Sequence, residues 1–288
     1  MNLPPFDVAS AGYAFGLAAH LVLALVLARR GRPVTGAPGA RRPVLAAALA
    51  SAAWCAASLL SVVWNDRAAD YLTLGTDLLR YALWFLFLVM LLPRNDDGSP
   101  SAAARLMRRV AAGSLAVAGG LMVVQSLGVL AGDWSRLAIG GALALPVCGL
   151  LMVEQLFRNL REDQRWNAKP VCLGLACVFV FDVYLFSEGL LFAKLDTDAL
   201  AVRGAVHALA VPFLLVAARR SPNWIAKLHV SRAAAFYSAS LLLAVGVLAG
   251  DWSRLAIGGA LALPVCGLLM VEQLFRNLRE DQRWNAKP

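Results

Sequence analysis

Charge is scarce in this chain. Asp, Glu, Lys and Arg make up 16% of its 288 residues, against roughly 25% in soluble globular proteins. The polar residues that remain sit in short connections, so no segment outside the apolar runs is long enough to bury a core of its own. That excludes a soluble catalytic domain within these residues. Catalytic signatures are missing too: there is no P-loop, no GxSxG, no HExxH and no glycine-rich nucleotide lid. No catalytic or cofactor-binding residue is therefore expected. Cys55, Cys148, Cys172, Cys177 and Cys266 lie inside or at the ends of apolar runs, as small packing residues do. Cys172 and Cys177 are too far apart for a CxxC pair and no His/Cys cluster accompanies them, so no metal site is expected. The N-terminal flank MNLPPFDVAS carries no positive charge, and a cleavable signal peptide is not expected either.

What the chain has in quantity is hydrophobic sequence, at 60% of residues with a mean hydropathy of +0.65. Apolar runs of about 20 residues, each long enough to cross a bilayer as a helix, follow one another throughout. They predict an all-α polytopic transmembrane bundle of nine spans, at about 10–29, 44–64, 72–93, 110–132, 137–157, 171–193, 199–218, 233–250 and 255–275. Alternate connections hold 21 Lys and Arg, from Arg29 to Lys287, and the opposite set holds only Arg67, Arg136, Lys194 and Arg254. The positive-inside rule then puts the N-terminus outside and the C-terminus in the cytoplasm. Trp64, Trp134, Trp166, Trp224, Trp252 and Trp284 fall at span ends, where amphipathic rings favour the interface; Trp54 and Trp84 lie inside. The net charge of +9 is thus a topology signal, and the expected partner is the lipid bilayer, with no nucleic acid. The cytoplasmic connections RRGRPVTGAPGARRP and RNDDGSPSAAARLMRR read as flexible.

Ionisable residues within a bilayer are costly, so each is a functional hypothesis. Here they are His20, Asp77, Arg80, Asp182, Glu188, Arg203 and His207, with Glu154 and Glu272 nearer the cytoplasmic face. At about 1.5 Å of rise per residue, Asp77, Glu188 and Arg203 are expected roughly 6–8 Å below the outer surface and Arg80 and His207 about 12 Å, with His20 and Asp182 near the midplane. Asp77 and Arg80 (i, i+3) and Arg203 and His207 (i, i+4) are helical neighbours. Arg203 lacks a local acid, and Asp182 or Glu188 on the preceding span would supply one. Two readings stand: a polar cavity open to the outside that senses or carries something, or an interhelical salt-bridge network that fixes packing. Glu154 is expected to reach water or pair with Arg158. Pro146 and Pro212 are interior helix prolines, and the small-residue rows GSLAVAGG and GGALA suit close helix packing. His229 in AKLHVSR has no flanking acid or helix pair to make it a phosphoacceptor.

Residues 128–170 recur without a single change at 246–288. Internal repeats of transporter folds are diverged and cover most of the chain, whereas this one is a single span and a basic tail. The organisation read from the sequence is a multi-span region over 1–245, its eighth helix running on to about 250, followed by the copy at 246–288 with a ninth span and no kinase domain. The perfect identity reads as a seam in the sequence, not a functional device.

From Val153 onward the residues become familiar. VEQLFRN, then QRWNAKPVCLGLACVFVFDVYLFSEGLLFAKLDTDALAVRGAVHALAVPFLLVAARRSPNW, then HVSRAAAFYS resemble the membrane region of the PrsK family, the sensor histidine kinases of bacterial exosortase (PEP-CTERM) systems. The matching positions include Asp182, Ser187, Leu190, Leu191, Phe192, Asp196, Arg203, Gly204, Pro212, Trp224, Ser231 and Arg232; Glu188 and His207 depart from the family's Asp and Asn. The resemblance is specific over about 153–240 and extends to 1–152 in hydropathy alone. It implies the sensory region of a two-component kinase, multi-pass in the bacterial inner membrane and homodimeric. ATP, Mg and a response regulator would engage only a kinase domain outside these residues. The alternative reading is a small-molecule or ion transporter that uses the outer-half charges as its path.

Overall fold

The computed structural model describes residues 8–29, 41–64, 66–92, 100–127, 134–159 and 162–219. The two C-terminal spans, the second copy of the repeat, Cys266 and Glu272 lie outside the described residues. Seven α-helices and no β-strand are present among the described residues: α1 (Val8–Arg29), α2 (Arg41–Trp64), α3 (Arg67–Leu91), α4 (Ala102–Leu127), α5 (Trp134–Asn159), α6 (Glu162–Phe192) and α7 (Thr197–Arg219). All seven are long and apolar enough to span a membrane. The protein is a multi-pass membrane protein, all-helical among the described residues.

Local chemistry sets the helix ends. Ser101 caps α4, its Oγ accepting the backbone N–H of Ala104 at 3.1 Å. Asp196 does the same for α7, accepting the N–H of Asp198 at 2.9 Å. Leu92, which precedes a proline, takes an extended conformation (ψ 146) and ends α3. Pro146, Pro170 and Pro212 lie inside helices, where neighbouring helices can satisfy the freed backbone groups. One connection expected to be flexible is partly helical, and so is the basic connection before α6. RNDDGSPSAAARLMRR enters α4 at Ala102, and RNLREDQRWNAKP enters α6 at Glu162. In both, Ala, Arg, Glu and Gln are good helix formers that extend the span beyond its apolar stretch.

Neighbours in sequence are neighbours in space. α1 packs on α2, α2 on α3, α5 on α6 and α6 on α7; α7 returns to pack on α1, and a contact between α3 and α5 closes the ring. The α1–α7 contact rests on glycine. A Cβ on Gly16 would lie 2.8 Å from the carbonyl oxygen of Gly204, and one on Gly204 would lie 2.9 Å from that of Gly12. Only hydrogen fits at these points, so the backbones of α1 and α7 touch. The main core fills one end of the ring with Leu23, Phe85, Leu88, Met152, Phe179 and Leu214. Outward faces are apolar as well, including Leu21, Leu25, Leu79, Leu86, Val123, Leu151 and Val180. An apolar exterior suits lipid, which solvates such side chains as well as a core does. α4 stands apart from this ring, packed on α5 and in lighter contact with α3.

Candidate functional site

Three helices deliver charge to one level of the bundle. Asp77 is ten residues from the start of α3, Asp182 ten from the end of α6, and His207 ten from the start of α7. At 1.5 Å per residue all three lie about 15 Å from the same end of their helices. The sequence had suggested a shallow Asp77 and a midplane Asp182. The difference arises because α3 begins at Arg67, five residues earlier than its apolar run suggests, which carries Asp77 down to meet Asp182.

Asp182 is the hub and is fully buried. Its Oδ1 accepts Arg203 Nε at 2.7 Å and His207 Nε2 at 3.1 Å. Its Oδ2 accepts the Tyr81 hydroxyl at 2.5 Å, Arg203 Nη2 at 3.1 Å and Arg80 Nη2 at 3.3 Å. Arg203 thus grips Asp182 with two parallel N–H groups, the geometry in which a guanidinium binds a carboxylate best. Asp77 holds the same two arginines from the other side. Its Oδ1 accepts Arg80 Nε at 2.9 Å and Nη2 at 2.5 Å, and its Oδ2 accepts Arg203 Nη1 at 2.9 Å.

The tautomer of His207 follows by elimination. Arg80 Nη1 lies 2.7 Å from His207 Nδ1. A guanidinium has no lone pair to offer, so Nδ1 accepts and the ring's proton sits on Nε2, where it meets Asp182. Two guanidinium groups, two carboxylates and one neutral imidazole sum to zero. Each carboxylate oxygen has at least one donor, so the arrangement meets the condition under which buried ion pairs persist: good geometry with the remaining lone pairs satisfied.

Aromatic rings wall the network. The guanidinium carbons of Arg80 and Arg203 lie 4.5 and 4.9 Å from the Trp54 ring centroid, and the His207 ring is 4.8 Å from it. Tyr13 meets Trp54 edge-on at 5.6 Å, and its hydroxyl donates to the carbonyl of Leu200 at 3.1 Å. Tyr81 lies 4.6 Å from Arg80, and Phe186 lies 5.2 Å from Arg203. A cation over a ring face is attracted by the ring quadrupole, and more strongly where water is excluded. The indole N–H of Trp54 has no hydrogen-bond partner among the described residues.

Of the seven residues singled out in the sequence, five converge: Asp77, Arg80, Asp182, Arg203 and His207. Glu188 does not join them. Six residues along α6 rotate a side chain by about 240°, which turns Glu188 away from the face that bears Asp182. His20 is buried on α1 and donates from Nδ1 to the carbonyl of Gly16 at 2.8 Å. Glu154 pairs with Arg158 at 3.2 Å on an exposed face. Sequence reasoning passed over Tyr81 and Trp54. Trp54 had a signal, being one of two tryptophans away from the interface. It likewise passed over GYAFG, the Gly12–Gly16 pair of small residues at four-residue spacing that admits α7. The rows it chose behave unevenly: Gly113 and Gly120 face open space, while Gly141 packs closely on Ala118 of the other row, as expected of small residues at a helix contact.

Cys55, Cys148 and Cys172 are free and buried, and Cys177 is free and partly buried. Among the described residues no cluster of three or more His, Cys, Asp or Glu is arranged to hold a metal ion. No family model matches the chain, and neither a curated protein nor a solved structure is similar to it.

Proposed function

We propose that this chain is the membrane-embedded input region of a sensor histidine kinase of the exosortase (PEP-CTERM) type. In this reading it crosses the bacterial inner membrane nine times, with the N-terminus outside and the C-terminus in the cytoplasm, and pairs with a second copy. ATP, Mg and the response regulator belong to a kinase domain beyond these residues. The observation that carries the reading is where the resembling positions meet. Asp182 and Arg203 form the bidentate centre of the buried network, and Gly204 sits at the α1–α7 contact that only glycine fits. The closed character of the network favours a sensor over the transporter. A conduction path needs charged groups that exchange partners with a passing ion, and here each carboxylate oxygen and both guanidinium groups are already held.

Three measurements test this. Radioactive ATP should leave the purified chain unlabelled, and the coding sequence at its locus should contain an ATP-binding kinase domain in frame. Alkaline phosphatase fused after Lys194 should be active, and fused after Arg219 inactive. Labelling of the chain alone, or ion flux in proteoliposomes that Arg203→Ala abolishes, would overturn the proposal.

A further inference from the structure

A second feature lies on the far side of Phe186 from the charges. A cavity of about 480 Å³ opens between α3, α4, α5 and the α6–α7 turn. That volume is within the range of roughly 300–1,000 Å³ typical of small-molecule sites. Its floor is apolar and buried, formed by Ala138, Ala142 and Phe186. Its rim is exposed and polar, with Gln125, Ser126, Tyr71 and Lys194.

Among the described residues, Lys194 is the only charged side chain lining the cavity. It has no carboxylate partner among the described residues, and the turn that bears it is fixed in place. Ala193 adopts a left-handed conformation (φ 56). Leu195 folds back so closely over α6 that a Cβ on Gly189 would lie 2.5 Å from its Cδ2. Asp196, the nearest acid along the chain, is turned to cap α7. The turn thus places Lys194 at the mouth of an apolar slot, at the end of a helix of membrane-spanning length.

The geometry points to a binding site for an anionic amphiphile: an acyl chain laid against Ala138, Ala142 and Phe186, with its carboxylate or phosphate head at Lys194. A neutral lipid would fill the slot but leave Lys194 unused, and a small free anion would find Lys194 but no floor. Because Phe186 is both the floor of the slot and a wall of Arg203, a bound chain would press on the charged network through one ring.

The test uses the full chain purified in a neutral detergent, with palmitate, hexadecanol, acetate and inorganic phosphate as probes and nanodiscs of phosphatidylglycerol against phosphatidylcholine. Palmitate should bind and raise the unfolding temperature, hexadecanol should bind more weakly, and acetate and phosphate should do neither. Lys194→Gln should weaken palmitate about three- to fivefold, as loss of one exposed charge pair does, and leave hexadecanol unchanged. Ala142→Phe should abolish binding of both; Ile139→Trp, at a half-buried wall, serves if that variant does not fold. Protection by phosphatidylglycerol as well as palmitate assigns the site to a membrane lipid, and protection by palmitate alone to a free fatty acid; either supports the site, and no protection by palmitate would overturn it. Equal binding of hexadecanol and palmitate, unaffected by Lys194→Gln, would overturn it. So would palmitate binding that survives both cavity-filling variants.

Discussion

α6 and α4 are both apolar helices of membrane-spanning length, yet 61% of the most apolar stretch of α6 is buried and only 17% of that of α4. Hydropathy alone does not order burial: α1 is as apolar as α6, yet only 39% of its most apolar stretch is buried. The difference lies in what each helix brings inward. α6 presents Asp182 to four donor-bearing residues on α3 and α7, and a charge that finds all its partners in the bundle holds its helix there. α4 presents Ala111, Ala118 and glycines, two of which face open space. In a bilayer, where lipid solvates apolar side chains as well as protein does, polar satisfaction and close backbone contact decide which helices are central. Within the ring, α1, α2, α3, α6 and α7 are locked by both; the α4 side is lightly packed, and the cavity lies there.

Substitutions can break this contrast. The largest effect is expected from Asp182→Ala, which leaves two buried guanidinium groups facing one carboxylate. Removing one partner of a buried ion pair costs about 3–5 kcal/mol, so reversible unfolding in mixed micelles should show a loss of that order. A smaller effect separates two glycines given the same change. Gly204→Ala forces a methyl against Tyr13 and the Gly12 carbonyl, and overpacking of that kind costs about 1–3 kcal/mol. Gly120→Ala adds a methyl to open space on α4, where the gain in helix propensity is at most about 1 kcal/mol. Opposite signs for the two would sharpen the comparison, and equal losses would erase it.

The helices themselves were legible in the sequence, because a span announces itself by length and apolarity. Their ends were less so. Capping by Ser101 and Asp196 and the helix-forming residues around Arg105 and Glu162 extend helices beyond their apolar runs. That extension matters to the site: reading α3 from Leu72 and not Arg67 misplaced Asp77 by about 7 Å, enough to separate it from Asp182. Pairs on one helix, Asp77 with Arg80 and Arg203 with His207, could be read from spacing. Pairings between helices could not, since spacing on one helix says nothing of rotation about another. Glu188 and Asp182 were equal candidates for Arg203 until the rotation of α6 was known. The part of Trp54 was hidden for the same reason. A buried tryptophan is ordinary, and only the fold puts two guanidinium groups against one ring.

The central claim is that Asp182 and Arg203 act as one unit that holds the ring together. A double-mutant cycle of Asp182→Ala and Arg203→Ala, read by unfolding free energy in mixed micelles, tests it most directly. The account predicts a coupling of about 3–5 kcal/mol, with the double variant no less stable than either single one, because removing both charges relieves the unpaired ion that each single change leaves behind. Effects that add to within about 0.5 kcal/mol would contradict it.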